Sequence, residues 1–327
     1  MWTARYRQRD LPKAVITLLA SLVMARCCSA EDTAAPVKAQ KYQLVEEWSV
    51  DAQGPVYLRA KSVKATYELE VTDLGTATDG KRTLEVKFVA ASVHAEIPAQ
   101  GREGQYDSQT ADADFEVEHH ELVRPMALFE QTLRLKYSSD GVLKTIEGTE
   151  SAMKRLDEIY NEHLRGSEQD SNTRDLERER LSEESLRKAW SNVFLVRDRE
   201  RLQTGRAERT GVASVMACIP SESWMKEVSV PVTESVTIKE QRDTGGARIE
   251  KKTVLAESKT VRTRIGDAAW KYDAATVTRE TTTLVDSHGR VESLRSDLSA
   301  DLASVLTLSE EIPIRMTIRH ATELSKK

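Results

Sequence analysis

Apolar and polar residues alternate with a period of two in many short segments, and this pattern restricts the fold more than any other feature of the chain. The segment 312–319 carries isoleucine or methionine at every second position, and the segments 67–72 and 84–88 alternate in the same way. Successive side chains of a β-strand point to opposite faces, so the pattern predicts antiparallel strands with one buried face. The dipeptides Asp79-Gly80 and Asp140-Gly141 predict hairpin turns between such strands.

The period changes to about 3.6 in the middle of the chain, which predicts two amphipathic helices over 150–164 and 182–197. Ser182 is a favourable N-cap for the second helix. Residues 166–180 are almost wholly polar and indicate either a solvated connection or a frayed helical arm. The predicted buried positions are Met153, Leu156, Ile159, Tyr160 and Leu164 in the first helix and Leu186, Ala189, Trp190, Val193 and Val196 in the second.

The order of elements predicts an α+β fold in which an antiparallel sheet, open or half-barrel-like, receives two amphipathic helices between two β-runs. We expect residues 42–327 to form a single β-rich domain with a helical insert over 149–200. Residues 98–113 are expected to form a long loop, and residues 115–121 a strand.

The first thirty residues have the order of a secretory signal peptide: basic residues, the apolar stretch 14–25, and small residues before Glu31. The apolar stretch is shorter than the ~20 residues that a spanning helix needs. We therefore expect cleavage near Ala30, a flexible leader over 31–41, and export to the bacterial periplasm or cell envelope. An uncleaved anchor and lipidation of Cys27 or Cys28 are the alternatives.

The balance of charge argues against a nucleic-acid partner. The chain has 48 Lys and Arg residues against 53 Asp and Glu residues, with a formal net charge of -5, and no basic run that could follow a phosphate backbone. Removal of the leader would leave Cys218 as the sole cysteine, so no internal disulfide is expected. An envelope component or an apolar small molecule is the predicted kind of partner.

Two weak motifs could carry chemistry. Glu116, Glu118 and His120 would share one face of a strand and could hold a divalent ion, although a solvated strand face is the preferred interpretation. Ser151 and Lys154 match a Ser-x-x-Lys pattern at a helix start, but the companion Lys-Thr-Gly element is absent. The sequence therefore predicts no catalytic residue, no metal and no other cofactor.

The layout resembles a family of uncharacterised exported bacterial proteins known as a domain of unknown function. The resemblance rests on the leader, on Tyr106-Asp107-Ser108, on the hairpin 138–148 that runs into a helix, and on Pro220 shortly before Trp224. It extends over roughly residues 42–300. No functional residue follows from it, because the family has no established site.

Three functions remain open at this point. The first is a non-enzymatic binding or structural module of the envelope. The alternative is a carrier of an apolar ligand such as a lipid, which would need an accessible apolar pocket. The second alternative is a serine hydrolase that uses Ser151 and Lys154.

A segment of the first β-run and a segment of the second form a weak internal sequence repeat. Leu135-x-Tyr137 with Gly141-x-Leu143-x-x-Ile146 can be laid over Thr283-x-Val285 with Gly289-x-Val291-x-x-Leu294. Either a duplication or a common type of hairpin would produce this match.

Overall fold

The computed structural model describes residues 39–53, 61–97, 101–110, 112–114, 120–163, 168–191, 193–194, 205–219, 224–241, 246–256, 260–265, 268–287, 289–307 and 311–327. All of them belong to the compact unit Lys38–Lys327. The predicted signal peptide and most of the predicted leader lie outside the described residues.

Antiparallel pairing dominates the fold and confirms the main prediction from the sequence. The first seven strands are β1 Gln40–Gln53, β2 Lys61–Thr76, β3 Arg82–Ile97, β4 Arg102–Asp107, β5 Asp112–Asp114, β6 Thr132–Tyr137 and β7 Leu143–Glu147. The next seven are β8 Gly205–Ile219, β9 Trp224–Gln241, β10 Gly246–Leu255, β11 Thr260–Ile265, β12 Ala268–Val285, β13 Val291–Thr307 and β14 Glu311–Lys326. They form one sheet, so the two predicted β-runs are continuous.

The first and last strands meet in the middle of this sheet. From β1 the chain winds outward through β2, β3 and β6 to β7, and after the helical segment it resumes at β8 on the opposite side. It then returns through β9, β10, β12 and β13 to β14, which pairs with β1 from Tyr42 opposite Lys326 to Gln53 opposite Arg315. The fold therefore depends on pairing between residues at the two ends of the described chain.

The described ranges contain four α-helices between or beside the strands: α1 Val123–Leu128, α2 Thr149–His163, α3 Glu168–Leu181 and α4 Glu183–Trp190. Helix α2 confirms the first predicted helix. The Ser182 hydroxyl accepts a hydrogen bond from the Ser185 amide at 3.3 Å, which confirms the predicted N-cap of α4. Helix α4 ends at Trp190 and not at residue 197. None of the helices in the described ranges has the length and apolar content that a membrane crossing requires.

The fold is mainly β. The described residues contain four α-helices, whereas the sequence predicted two. Helix α3 occupies the segment interpreted as a solvated connection or frayed arm. Its Arg174 and Arg178 pair with Asp157 of α2, and its Leu181 is fully buried, so tertiary contacts stabilise a helix that has little apolar pattern of its own. Helix α1 was not predicted.

The segment before α1 is the clearest error of the sequence interpretation. Residues 98–113 contain β4 and β5 and are not one long loop, because β4 pairs along the end of β3. The predicted strand 115–121 is wrong at its end, where His120–Leu122 form a 3-10 helix and the Glu121 carboxylate pairs with Lys61 of β2. Residues 115–119 lie outside the described residues.

One face of the sheet, here called the inner face, carries the core and receives the helices. Paired positions along it include Tyr67, Leu44, Leu324, Leu294 and Ile249. Most helix positions predicted to be buried are buried: Leu156, Ile159, Tyr160, Leu186, Trp190 and Val193. Met153 is half-buried, Ala189 is exposed and corrects the prediction, and Leu164 and Val196 lie outside the described residues. The opposite, outer face carries exposed ion pairs such as Lys239–Glu250 at 3.0 Å and Lys252–Glu280 at 2.8 Å, as a face in contact with water does.

The sheet bends strongly between β14 and β8. Five strand spacings separate these two strands in the sheet, which is ~24 Å on a flat surface. Cα atoms of the two strands nevertheless approach within 8 Å. The inner faces of β14, β13, β12, β10 and β9 are therefore turned toward one another.

Candidate functional site

Two neighbouring rows of polar residues cross the inner face, and we call them together the polar belt. The first row is Glu46, Thr322, Ser296, Thr281 and Lys251 on β1, β14, β13, β12 and β10, and the second is His320, Arg279, Thr253 and Glu234 on β14, β12, β10 and β9. Paired residues of antiparallel strands project to the same face. The polar belt therefore lies on the same face as the core.

Apolar rows enclose the polar belt on both sides. On the side of the helices lie Leu44, Leu324 and Leu294, and on the other side lie the paired residues Val50, Ile318, Ala300 and Val277. All of these are buried, Ile318 and Val277 with only 1% exposure each. A belt of charges between two buried apolar zones is costly for folding, because each charge must lose water without leaving the protein interior.

The Glu46 carboxylate forms an ion pair at 2.7 Å with Arg124, which α1 brings over the inner face. Burial acts to lower the pKa of Arg124, but Glu46, Tyr67 and Glu177 raise it, and the net pKa lies above the ordinary value. Burial also raises the pKa of the nearby Tyr67 hydroxyl, and Arg124 opposes that shift. Arg124 is therefore a permanent cation at one end of the polar belt.

Glu234 and Lys251 form a second ion pair across the β9–β10 boundary, with side chains 15% and 29% exposed. In the centre of the first row, the hydroxyls of Thr281 and Ser296 lie 2.9 Å apart and share a hydrogen bond. Both carboxylates of the polar belt thus have a cationic partner.

Arg279 differs from the other cations of the polar belt. Its guanidinium, which is partly buried, forms no hydrogen bond or ion pair with another described residue. Burial lowers the pKa of Arg279, and the Glu234 carboxylate only partly opposes that shift. Because guanidinium presents five donors in a planar fork and stays charged, Arg279 has unused capacity for an anion.

His320 lies two strands from Arg279 in the same row, with Leu298 of β13 between them. Burial lowers the pKa of His320, Glu46 opposes this, and the neighbouring charges of Arg279 and Arg124 lower it further. The imidazole is therefore neutral at neutral pH and carries one N–H donor and one acceptor nitrogen.

The motifs singled out from the sequence do not meet at the polar belt. Ser151 and Lys154 lie on the exposed side of α2, where the ammonium, 82% exposed, is 3.9 Å from Glu158. His120 begins the 3-10 helix, whereas Glu116 and Glu118 lie outside the described residues. Among the described residues, no group of three His, Cys, Asp or Glu side chains is placed to hold a metal ion. Cys218 is on β8, and its side chain lies outside the described part.

The residues of the polar belt were overlooked, although a signal for two of them exists. His320 continues the alternation of Ile314, Met316 and Ile318, and Glu46 continues that of Tyr42 and Leu44. A charged or titratable residue at the apolar phase of a strand is the pattern that marks an inward-facing polar group.

The fold and the site together define an antiparallel sheet protein with a charged belt on its inner face. No protein-family model matches the chain, and no curated protein matches it. The predicted resemblance to a domain of unknown function therefore stays a prediction.

Three solved structures of outer-membrane or autotransporter proteins have low similarity to this chain. The beta domain of the Bordetella autotransporter Brka has 9% identity and a TM-score of 0.21, covering 88% of this chain and 98% of that one. The transport unit of the autotransporter AIDA-I from Escherichia coli has 6% identity and a TM-score of 0.19, with coverage of 95% and 98%. Pseudomonas aeruginosa OccK7 has 6% identity and a TM-score of 0.22, with coverage of 88% and 99%. Scores of this size carry no argument about fold or function.

Proposed function

We propose that this protein is a non-enzymatic binding module of the bacterial cell envelope, and that the polar belt is its binding surface. The observation that carries the proposal is the placement of Arg279 and His320, without a described partner for the guanidinium, on a sheet face that otherwise forms core. Polar groups that weaken a core are retained where a ligand uses them, which is the usual trade between stability and function.

The apolar zones beside the polar belt favour this proposal over an apolar-ligand carrier. A carrier needs apolar side chains that remain open to the ligand. Ala300 is 0% exposed, and Leu302 and Met316 in the next row are 2% and 1% exposed. Arg279, His320 and Glu234 keep some exposure on this face, as do the apolar residues Trp48, Ile238 and Ile249, so a ligand here can make polar contacts.

The exposed setting of Ser151 and Lys154 supports the non-enzymatic part of the proposal. An amine acts as a base toward a hydroxyl when it is shielded from water and held within hydrogen-bond reach. Lys154 is largely solvated and lies 3.9 Å from the Glu158 carboxylate. The envelope location is supported by the order of residues in the leader.

Native mass spectrometry of protein produced with its leader and isolated gently from the envelope tests the proposal. We expect a stoichiometric polar ligand that dissociates on denaturation, or, for protein isolated empty, a rise in melting temperature with members of a polar metabolite panel. A stoichiometric lipid would establish the carrier instead. Absence of any ligand and of any thermal response would establish a purely structural module, and ester or amide hydrolysis lost in Ser151→Ala would establish the hydrolase.

A further inference from the structure

Resting on the proposed function, we infer that the polar belt binds an oxyanion, the carboxylate or phosphoryl group of a small polar solute, and that Arg279 is its principal contact. The ligand lies above Leu298, between the Arg279 guanidinium and the His320 imidazole. The second row of the polar belt is thus an anion site.

Among the described residues, the pairing of charges around the polar belt leaves Arg279 without a hydrogen-bonded or ion-paired carboxylate. The two carboxylates of the polar belt are already engaged, Glu46 by Arg124 and Glu234 by Lys251. Within the described part of the chain, the Glu234 carboxylate acts on Arg279 only through its charge, without a hydrogen bond or ion pair. A partly buried cation without an ion-pair partner is disfavoured, so a bound anion is the group that would complete the pairing of charges.

The spacing of the second row suits a ligand that contacts two side chains at once. Arg279 and His320 are separated by β13, which places their backbones ~10 Å apart. Leu298, 6% exposed, forms the floor between them. A carboxylate or phosphate bound at this spacing would contact both residues, and guanidinium binds such a group through two parallel hydrogen bonds.

The neighbouring side chains favour a polar solute rather than an acid with a long alkyl tail. Thr253, Thr281, Ser296 and Thr322 provide hydroxyls in and beside the same rows. The apolar row beyond them is closed, as Val277 and Ile318 show. An alkyl chain would have to open that packing, whereas a hydroxylated or small acid would not.

Arg279→Gln is the informative variant, and Arg319→Gln is its matched control. Arg319 is adjacent to His320 but exposed on the outer face, so both variants remove one positive charge from the same part of the sheet. Arg279→Gln should fold, because it removes an unpaired charge from the inner face. A circular dichroism spectrum and a cooperative melt verify this for each variant.

The experiment is calorimetric titration with inorganic phosphate in one arm and succinate in the other, at ionic strength matched with sodium chloride. We expect saturable binding of at least one probe to the wild type and to Arg319→Gln, and about tenfold or greater weakening in Arg279→Gln. Arg279→Lys should fall between them, since it keeps the charge and loses the planar fork. The stronger arm identifies the oxyanion as phosphoryl or carboxylate.

Three outcomes would overturn the anion site. These are no saturable binding in either arm, equal affinity for wild type and Arg279→Gln, or equal weakening in Arg279→Gln and Arg319→Gln, which would indicate general surface charge. A neutral polar ligand found by native mass spectrometry would reject the anion site while leaving the proposed binding module intact. If neither an anion nor any other polar ligand binds, the proposed function is rejected as well.

Discussion

The Trp190 indole stacks on the Phe88 ring, with ring centroids 5.9 Å apart and 29° between the planes. Phe88 projects from β3 and is fully buried, whereas Trp190 is the last residue of α4. This contact fastens the helical segment to the inner face at a place where Phe194 also meets the Trp190 ring edge to face, 5.9 Å away.

Replacing Trp190 with Ala should lower the free energy of unfolding by ~3 to 5 kcal/mol, because the change removes a large buried ring and leaves a cavity. Urea denaturation followed by circular dichroism measures it. Lys188→Ala on the exposed side of α4 is the control and should change stability by about 0.5 kcal/mol or less. Wild-type stability in Trp190→Ala, or two separate unfolding transitions, would contradict a single cooperative sheet and helix assembly.

Gly148 and Gly75 form a natural pair for testing local packing. Both have left-handed backbones, with φ of +95° and +93°. A Cβ at Gly148 would lie 2.4 Å from the Thr132 carbonyl oxygen, whereas a Cβ at Gly75 meets nothing within 4 Å. Gly75→Ala should cost about 1 kcal/mol of unfolding free energy for the backbone conformation alone. Gly148→Ala should cost roughly 1 to 3 kcal/mol more. Equal losses of unfolding free energy in the two variants, measured by chemical denaturation, would show that β6 shifts to accommodate the new Cβ without cost.

His320 should make the protein less stable as the pH falls below neutrality. Burial lowers its pKa below the ordinary value of 6.5, with Arg279 and Arg124 acting in the same direction and Glu46 against it. The unfolded chain therefore binds the proton more readily, and stability is fully present above pH ~6.5 and declines as the pH falls from there toward the folded pKa. In His320→Gln, the free energy of unfolding should change less between pH 7.5 and pH 5 than it does in the wild type.

His94→Gln is the control for that measurement, because His94 is 44% exposed on the outer face. Its slope of stability against pH should stay close to that of the wild type. The assignment to His320 is rejected if His94→Gln flattens the slope as much as His320→Gln does.

Asp157 should govern the stability of α3. Burial acts to raise its pKa, but hydrogen bonds from Arg178 and Arg174 outweigh burial and hold the pKa below the ordinary value of 3.8. The stabilisation is therefore present above pH ~4 and lost as the pH falls through the folded pKa. Asp157→Asn at neutral pH should speed amide hydrogen exchange in α3 more than in α4, measured by mass spectrometry; uniform exchange rates would show that burial of Leu181 alone holds α3.

The leader carries a prediction of its own. Exported protein should begin at Glu31, because a basic head, a short apolar stretch and small residues precede that position. Intact mass or N-terminal sequencing measures it. A start several residues away, or a lipid on Cys27 or Cys28, would show that a different signal is used.

The internal repeat is explained by turn chemistry. Gly141 and Gly289 end equivalent turns with φ of +74° and +76°, and the pairs Tyr137–Leu143 and Val285–Val291 close both hairpins in the same register. Gly80 ends a third such turn, with φ of +78° and its amide bonded to the Ala77 carbonyl at 2.9 Å. Since a third hairpin outside the repeat has the same geometry, the match requires no duplication.

The sequence by itself determined most of the strands, several turns and two of the helices, because these follow from local periodicity and from residues such as Gly141 and Ser182 that suit one backbone conformation. Tertiary structure alone decided that β1 and β14 pair at the centre, that polar α3 is a helix held by Asp157, and that β4 extends the sheet. It also assembled the polar belt, whose Glu46, Arg279 and Glu234 come from strands far apart in the chain. Such contacts depend on strand register across the whole sheet, which no local pattern of residues specifies.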